Sequence, residues 1–143
     1  MREILFRGKR VDNGEWVYGY PYVTHTGVYE IGNYNEATNI ERWTAVVDPH
    51  TVGQYTGLTD KNGKRIFEGD IAEVRLIGGT YQGFSWGRQK VVFERGAFCA
   101  EDYHGDTTPL RSYAPAVEIE VVGNIHDNPE LLEGGADNGT TQT

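Results

Sequence analysis

No stretch of this chain carries apolar residues at the three-and-four spacing of a long amphipathic helix. What recurs instead is a short run of β-branched or aromatic residues, cut off by glycine. Val, Ile, Tyr, Phe and Trp number 38 against 15 for Ala, Leu and Met, and nineteen glycines supply the turns. Branched and aromatic side chains fit a pleated, half-buried surface and lose χ1 freedom in a helix. The clearest strand is Val117-Glu118-Ile119-Glu120-Val121, whose strict alternation predicts one buried and one solvated face. Many short strands broken by such turns predict a small barrel or a sandwich.

Along the chain, Ile4–Arg7 and Lys9–Val11 read as a strand interrupted by Gly8, a bulge or a close-packing position. Asp12-Asn13-Gly14 tolerates positive φ and predicts a hairpin reversal into Glu15–Tyr20. Trp16, Tyr18, Tyr20 and Tyr22 share one face by alternation, and the expectation is that this face packs on a neighbour. Pro21 predicts that this end of the strand is an edge. Further strands are expected at Val28–Ile31 and Thr44–Val47, with a polar loop from Gly32 to Arg42 between them. Glu68-Gly69-Asp70 turns the chain into a strand through Ile71, Val74 and Leu76. A glycine-rich loop runs from Gly78 to Gly87, a hairpin crosses Arg95-Gly96, and a third loop spans Glu101 to Pro109. Asn128-Pro129 predicts the cap and first residue of a short helical turn, and residues 133–143 read as a disordered tail.

The single cysteine, Cys99, has apolar neighbours and reads as a small core residue; no intrachain disulfide is available to it. The N-terminal apolar run of three residues is too short for a secretory h-region, and no stretch reaches the length of a membrane span. A cytoplasmic protein without membrane partners is therefore expected. The net charge of −8 is uneven. Arg2, Arg7, Lys9 and Arg10 face one acid, Glu3, at the start, whereas from Glu94 onward two bases stand against ten acids. Neutralising phosphates needs the opposite balance, which disfavours nucleic acid as the partner.

No catalytic constellation is found. Asp60-Lys61-Asn62-Gly63 opens like a calcium loop, but Lys64, Arg65 and Ile71 occupy the positions where ligands and a glycine are required. Asp102, His104 and Asp106 alternate and would face one way on an extended chain, yet no second ligand pair stands at metal spacing, and a solvated loop is the expectation. The four histidines follow no zinc pattern, and no nucleophile elbow, phosphate loop or dinucleotide fingerprint is present. No cofactor is expected. Glu68 and Asp70 are better placed to bond backbone N–H groups than to act as paired catalytic carboxylates. The best binding candidate is the aromatic loop carrying Tyr81, Phe84, Trp86 and Arg88, suited to a protein hot spot or to base stacking.

The segment Gln54-Tyr55-Thr56-Gly57-Leu58…Asp60-Lys61-Asn62-Gly63…Ile66-Phe67-Glu68-Gly69-Asp70-Ile71 resembles the YopX family of phage and prophage proteins. Met1-Arg2-Glu3-Ile4…Phe6-Arg7 is similar to the family's opening, and Val122-Gly123-Asn124-Ile125…Asn128-Pro129-Glu130-Leu131-Leu132 to its ending. The resemblance implies an SH3-like small barrel around and after the motif, and assembly into a homo-oligomer. It implies no activity. The expected organisation is thus a mainly β chain: an N-terminal β-rich region at 1–50 with its hairpin, a barrel region at 51–132 with a short C-terminal helical turn, and a tail. Gly57, Asp60, Asn62, Gly63, Glu68, Gly69 and Asp70 are expected to serve the fold. Function is expected to be non-enzymatic, through contacts with itself and with an unidentified host or phage protein. The alternatives are a nucleic-acid module using Tyr81, Phe84, Trp86 and Arg88 with the N-terminal bases, and a metal-dependent hydrolase using the Asp102 loop.

Overall fold

The computed structural model describes residues 2–33, 43–76, 87–113 and 117–133. Within them the chain is mainly β, with two antiparallel sheets, two single 3-10 turns and one short helical turn at 130–133. Contacts divide it into two units, Met1–Gly57 and Leu58–Thr143, and the division falls inside a strand.

The first unit contains β1 (Phe6–Lys9), β2 (Trp16–Val23), β3 (Tyr29–Gly32), β4 (Thr44–Val46) and the start of β5 (Gly53–Thr59), in the sheet order β4-β3-β2-β1-β5. The β1–β2 register is continuous from Phe6↔Gly19 to Lys9↔Trp16, so Gly8 is no bulge. It is a close-packing position: a Cβ there would stand 3.0 Å from Ile31 Cδ1 and 3.1 Å from Val47 Cβ. Ile31, Ala45, Val47 and Tyr55 are buried in this unit. Pro21 sits on a strand that has neighbours on both sides, but the β1 pairing stops at Gly19. Pro21 pairs only with Ile31 of β3, so its missing N–H costs no ladder bond toward β1. The polar stretch at 34–42 lies outside the described residues.

The second unit holds the end of β5, β6 (Arg65–Phe67), β7 (Asp70–Leu76), β8 (Gly87–Glu94), β9 (Ala97–Glu101), β10 (Thr107–Pro109) and β11 (Val117–Asn124). Its sheet has the order β10-β9-β8-β7-β11, all antiparallel, and this order is open, with β10 and β11 at its two ends. The segment expected to be a loop from Glu101 to Pro109 therefore ends in a strand, because Thr107–Pro109 pair with Cys99–Glu101. Arg95 (φ 51°) and Gly96 (φ 77°) make the two-residue reversal between β8 and β9, both left-handed as the twist of flanking strands favours.

Alternation sorts the second sheet's faces. Val91, Ala100 and Val121 turn inward with Ile66 and Leu110, and Phe98, Tyr113 and Ile119 close around them. The opposite face is charged, carrying Glu73, Arg75, Arg88, Lys90, Glu101, Glu118 and Glu120. A register shift between Val121 and Gly123 marks a bulge in β11. Gly123 is required beside it, since a Cβ would come within 2.6 Å of Asn128 Oδ1 and 2.9 Å of Leu131 Cδ1. The C-terminal turn is organised from behind. Asn124 Oδ1 accepts from His126 and Asp127 N–H at 3.0 and 2.9 Å, and Asn128 Oδ1 accepts from Asn124 N–H rather than capping forward. No described helix is long and apolar enough to cross a membrane.

Candidate functional site

The motif Asp60–Asp70 folds into two consecutive turns, and each of its carboxylates that lies buried binds backbone. Asp60 and Lys64 pair across a three-residue loop, Asp60 N–H donating to Lys64 O at 2.7 Å. Gly63 (φ 79°) takes the left-handed position that closes such a loop. Asp60 Oδ1 accepts from Asn62 and Lys64 N–H, both at 2.9 Å, and Oδ2 accepts from Val121 N–H at 3.0 Å. Burial pushes the Asp60 carboxyl up, but the N–H groups of Val121, Lys64 and Asn62 and the Lys64 charge outweigh it and leave the group below its ordinary range. Lys61 N–H adds a 2.9 Å bond to Ile119 O. One carboxylate thus builds a hairpin and fastens it to β11.

The second turn follows immediately. Asp70 is 2 % exposed and its Oδ2 accepts from Phe67 N–H at 2.7 Å, across Glu68 and Gly69 (φ 92°). Gly69 donates to Val91 O at 2.8 Å and accepts from Ile125 N–H at 2.9 Å, so the corner is bonded to two other segments. Gly57 (φ 88°) introduces the same segment within β5. Of the pair of carboxylates Glu68 and Asp70, the Asp70 oxygen is engaged in closing its own turn.

Asp102 repeats the Asp60 loop. Its N–H donates to Asp106 O at 2.9 Å, Gly105 N–H donates to Asp102 O at 3.0 Å, and Asp102 Oδ1 accepts from His104 and Asp106 N–H at 2.9 and 3.0 Å. Gly105 has φ 85°. Asp102, His104 and Asp106, expected in a solvated loop, do lie in a loop, but a tight one whose first carboxylate is buried and holds its own backbone. Among the described residues no group of three or more His, Cys, Asp or Glu side chains is placed to hold a metal ion. A third version stands in the first unit, where Thr24 and Val28 pair, Gly27 has φ 87°, and Thr24 Oγ1 accepts from Val28 N–H at 3.0 Å. The shared signal, an Asp or Thr followed three residues later by Gly, stands in the sequence at 24, 60 and 102, and is too short to mark one repeated loop by itself.

Tyr81, Phe84 and Trp86 lie outside the described residues. Arg88, at the start of β8, is half-buried and donates from Nη1 to Leu131 O at a long 3.5 Å. It lines a cleft of about 260 Å³ with Lys90, Glu101, Asp102, Tyr103 and Leu132. A second, larger hollow of about 440 Å³ runs beside the Asp60 loop, bounded by Leu58, Ile66, Leu110, Tyr113 and Ile119. Burial pushes the Tyr113 phenol up to about 12, and its hydroxyl donates to the buried Gln89 Oε1 at 3.4 Å. Cys99 is buried, and burial followed by the charge of Glu94 raises its thiol pKa, which disfavours the thiolate.

The tyrosine row of β2 does not pack as expected. Tyr18, Tyr20 and Tyr22 are 48 %, 42 % and 54 % exposed. Tyr18 opposes the buried Arg7, whereas Tyr20 opposes Gly32 and Tyr22 opposes Glu30, with the exposed Val46 beyond. At the row's start, Trp16 is half-buried beneath two cations, Arg7 Cζ at 4.7 Å and Lys9 Nζ at 5.8 Å from its ring centre.

Two crystal structures resemble this fold. Protein EF1440 from Enterococcus faecalis matches with a TM-score of 0.55 at 23 % identity, over 92 % of this chain and 99 % of that one. YopX from Bacillus subtilis matches with a TM-score of 0.55 at 19 % identity, over 90 % and 97 %. No curated protein matches. The YopX protein family matches residues 5–133, from before β1 through the C-terminal turn, and so takes in every loop and strand described above. The chain belongs to the YopX family.

Proposed function

We propose that this protein is a non-enzymatic accessory protein of a phage or prophage that works in the host cytoplasm through protein–protein contacts, as a homo-oligomer. The observation that carries the reading is the open aromatic face of β2. Three same-face tyrosines and Val46 are each roughly half exposed, and contiguous exposed aromatic surface of this kind is characteristic of contact surfaces. A second copy of the chain is the occupant of that face, and the second unit serves as an SH3-like scaffold. The non-enzymatic reading draws support from Asp60, Asp70 and Asp102, three buried acids whose oxygens bond backbone N–H groups.

Light scattering on the eluting protein tests it. The wild type runs as an oligomer, and the triple variant Tyr18→Ser, Tyr20→Ser, Tyr22→Ser runs as a monomer with unchanged circular dichroism. A monomeric wild type, or a variant with the oligomer intact, removes the self-association reading. Steady turnover lost in His104→Ala would remove the non-enzymatic one.

The stacking of Arg7 and Lys9 on Trp16, at the head of the same row, favours one second reading: single-stranded nucleic acid, with bases on the tyrosines. Seven acids against five bases in residues 1–57 weigh against it. It requires binding that weakens steeply with salt and falls on Tyr20→Ser.

A further inference from the structure

We propose that the cleft between β8, the Asp102–Asp106 loop and the C-terminal turn binds a small monocarboxylate with an aromatic or apolar body. Arg88 and Lys90 project from the same face of β8, but their charges are placed differently. Lys90 Nζ meets Glu101 Oε2 at 3.1 Å, its cross-strand partner. Arg88 stands opposite Glu73 on β7, yet Glu73 turns to Arg75 at 4.0 Å, and no described carboxylate pairs with Arg88. The guanidinium keeps only the long Nη1 contact to Leu131 O, and its Nε is buried with no hydrogen-bond partner.

A guanidinium N–H closed off from water without an acceptor is unfavourable, and a donor in that state gains from any acceptor that reaches it. Nη1 is the end already in contact with the chain. The remaining edge, Nε with Nη2, presents two parallel N–H groups at the spacing of carboxylate oxygens. Giving up the weak Leu131 contact lets the guanidinium turn this edge to the ligand.

The rim sets the rest of the specificity. Glu101 and Asp102 oppose a second negative charge, and Lys90 is already neutralised by Glu101, so a dianion such as phosphate is disfavoured. Tyr103 and Leu132 supply apolar walls. The cleft's 260 Å³ is several times the ~30 Å³ share of one liquid water, room for a benzoate-sized molecule.

The test is a titration of the full-length, nitrogen-15-labelled protein with sodium benzoate at constant ionic strength, reading the arginine Nε–Hε signals. The Arg88 signal, assigned by its loss in Arg88→Lys, is expected to shift saturably with Kd on the order of 1 mM. The amides of Tyr103 and Leu132 are expected to move with it, and inorganic phosphate to bind about tenfold more weakly. Glu101→Gln is expected to narrow that gap by admitting phosphate. A linear, unsaturable response, saturation that persists in both Arg88→Lys and Arg88→Gln, or phosphate binding more tightly than benzoate overturns the proposal. Should Arg88→Gln unfold, Arg88→Lys with Glu101→Gln decides it.

Discussion

The Asp60 and Asp102 loops are the same device put to different uses. Both pair residues i and i+4, both place glycine left-handed at i+3, and both give one carboxylate oxygen to the N–H groups of i+2 and i+4. Asp60 then reaches Val121, sixty-one residues on, and Lys61 beside it bonds Ile119. The Asp102 loop instead offers Asp102, Tyr103 and Gly105 to the Arg88 cleft. A local turn chemistry that five residues suffice to specify can therefore serve either to lock a core or to shape a surface. What surrounds the loop decides which.

The largest effect should separate the two loops. Asp60→Ala leaves three N–H groups without their carboxylate and is expected to cost about 3 kcal/mol, because charge-assisted bonds in a buried site count for more than neutral ones. Asp102→Ala should cost about 1.5 kcal/mol by losing the bonds of its own loop. Urea unfolding measures both, and equal losses would show that the Val121 bond adds nothing. Next, Gly63→Ala and Gly105→Ala should each cost about 1–2 kcal/mol and by similar amounts, since φ of 79° and 85° strain any Cβ alike. Unequal costs would break the identity of the two backbones.

Acid sharpens the contrast further. The Asp60 carboxyl is depressed in the folded protein, so its contribution is present above the unfolded value near ~3.9 and fades as pH falls through the folded one. Stability measured against pH should lose part of its acid limb in Asp60→Asn. An unchanged limb would mean that other carboxylates control acid unfolding. The smallest effect belongs to Lys61→Ala, which removes contacts of 3.6 and 3.5 Å to Glu118 and Glu120 on a partly exposed surface. A loss of about 0.5 kcal/mol, erased by salt, is expected.

How much of this was legible in the sequence depends on distance along the chain. Asp12-Asn13-Gly14 and Arg95-Gly96 announced their reversals because a left-handed turn is specified by adjacent residues. The shared face of Tyr18, Tyr20 and Tyr22 followed from alternation, but its exposure did not, because nothing in β2 tells that Gly32 stands opposite Tyr20. Strand β5 was not read, since Gly53, Gln54 and Gly57 carry little strand signal and pairing with Phe6–Arg7 makes the strand. Of the candidate binding residues, Arg88 stands out in the sequence only by its aromatic neighbours. Its setting against Leu131 and the Asp102 loop is a tertiary fact with no local trace. The motif acids were expected to bond backbone, yet the partner of Asp60 on β11 lay beyond any window of spacing.

That long bond also sets an order in time. The Asp60 hairpin closes over five residues, an event of microseconds that needs nothing else in the chain. The bond to Val121 must wait for sixty-one residues to be gathered and for β11 to find β7, a search whose entropy is repaid only at its end. One side chain thus closes both a loop of four residues' separation and one of sixty-one. Through its two oxygens, Asp60 gives the returning strand a ready-made place to land.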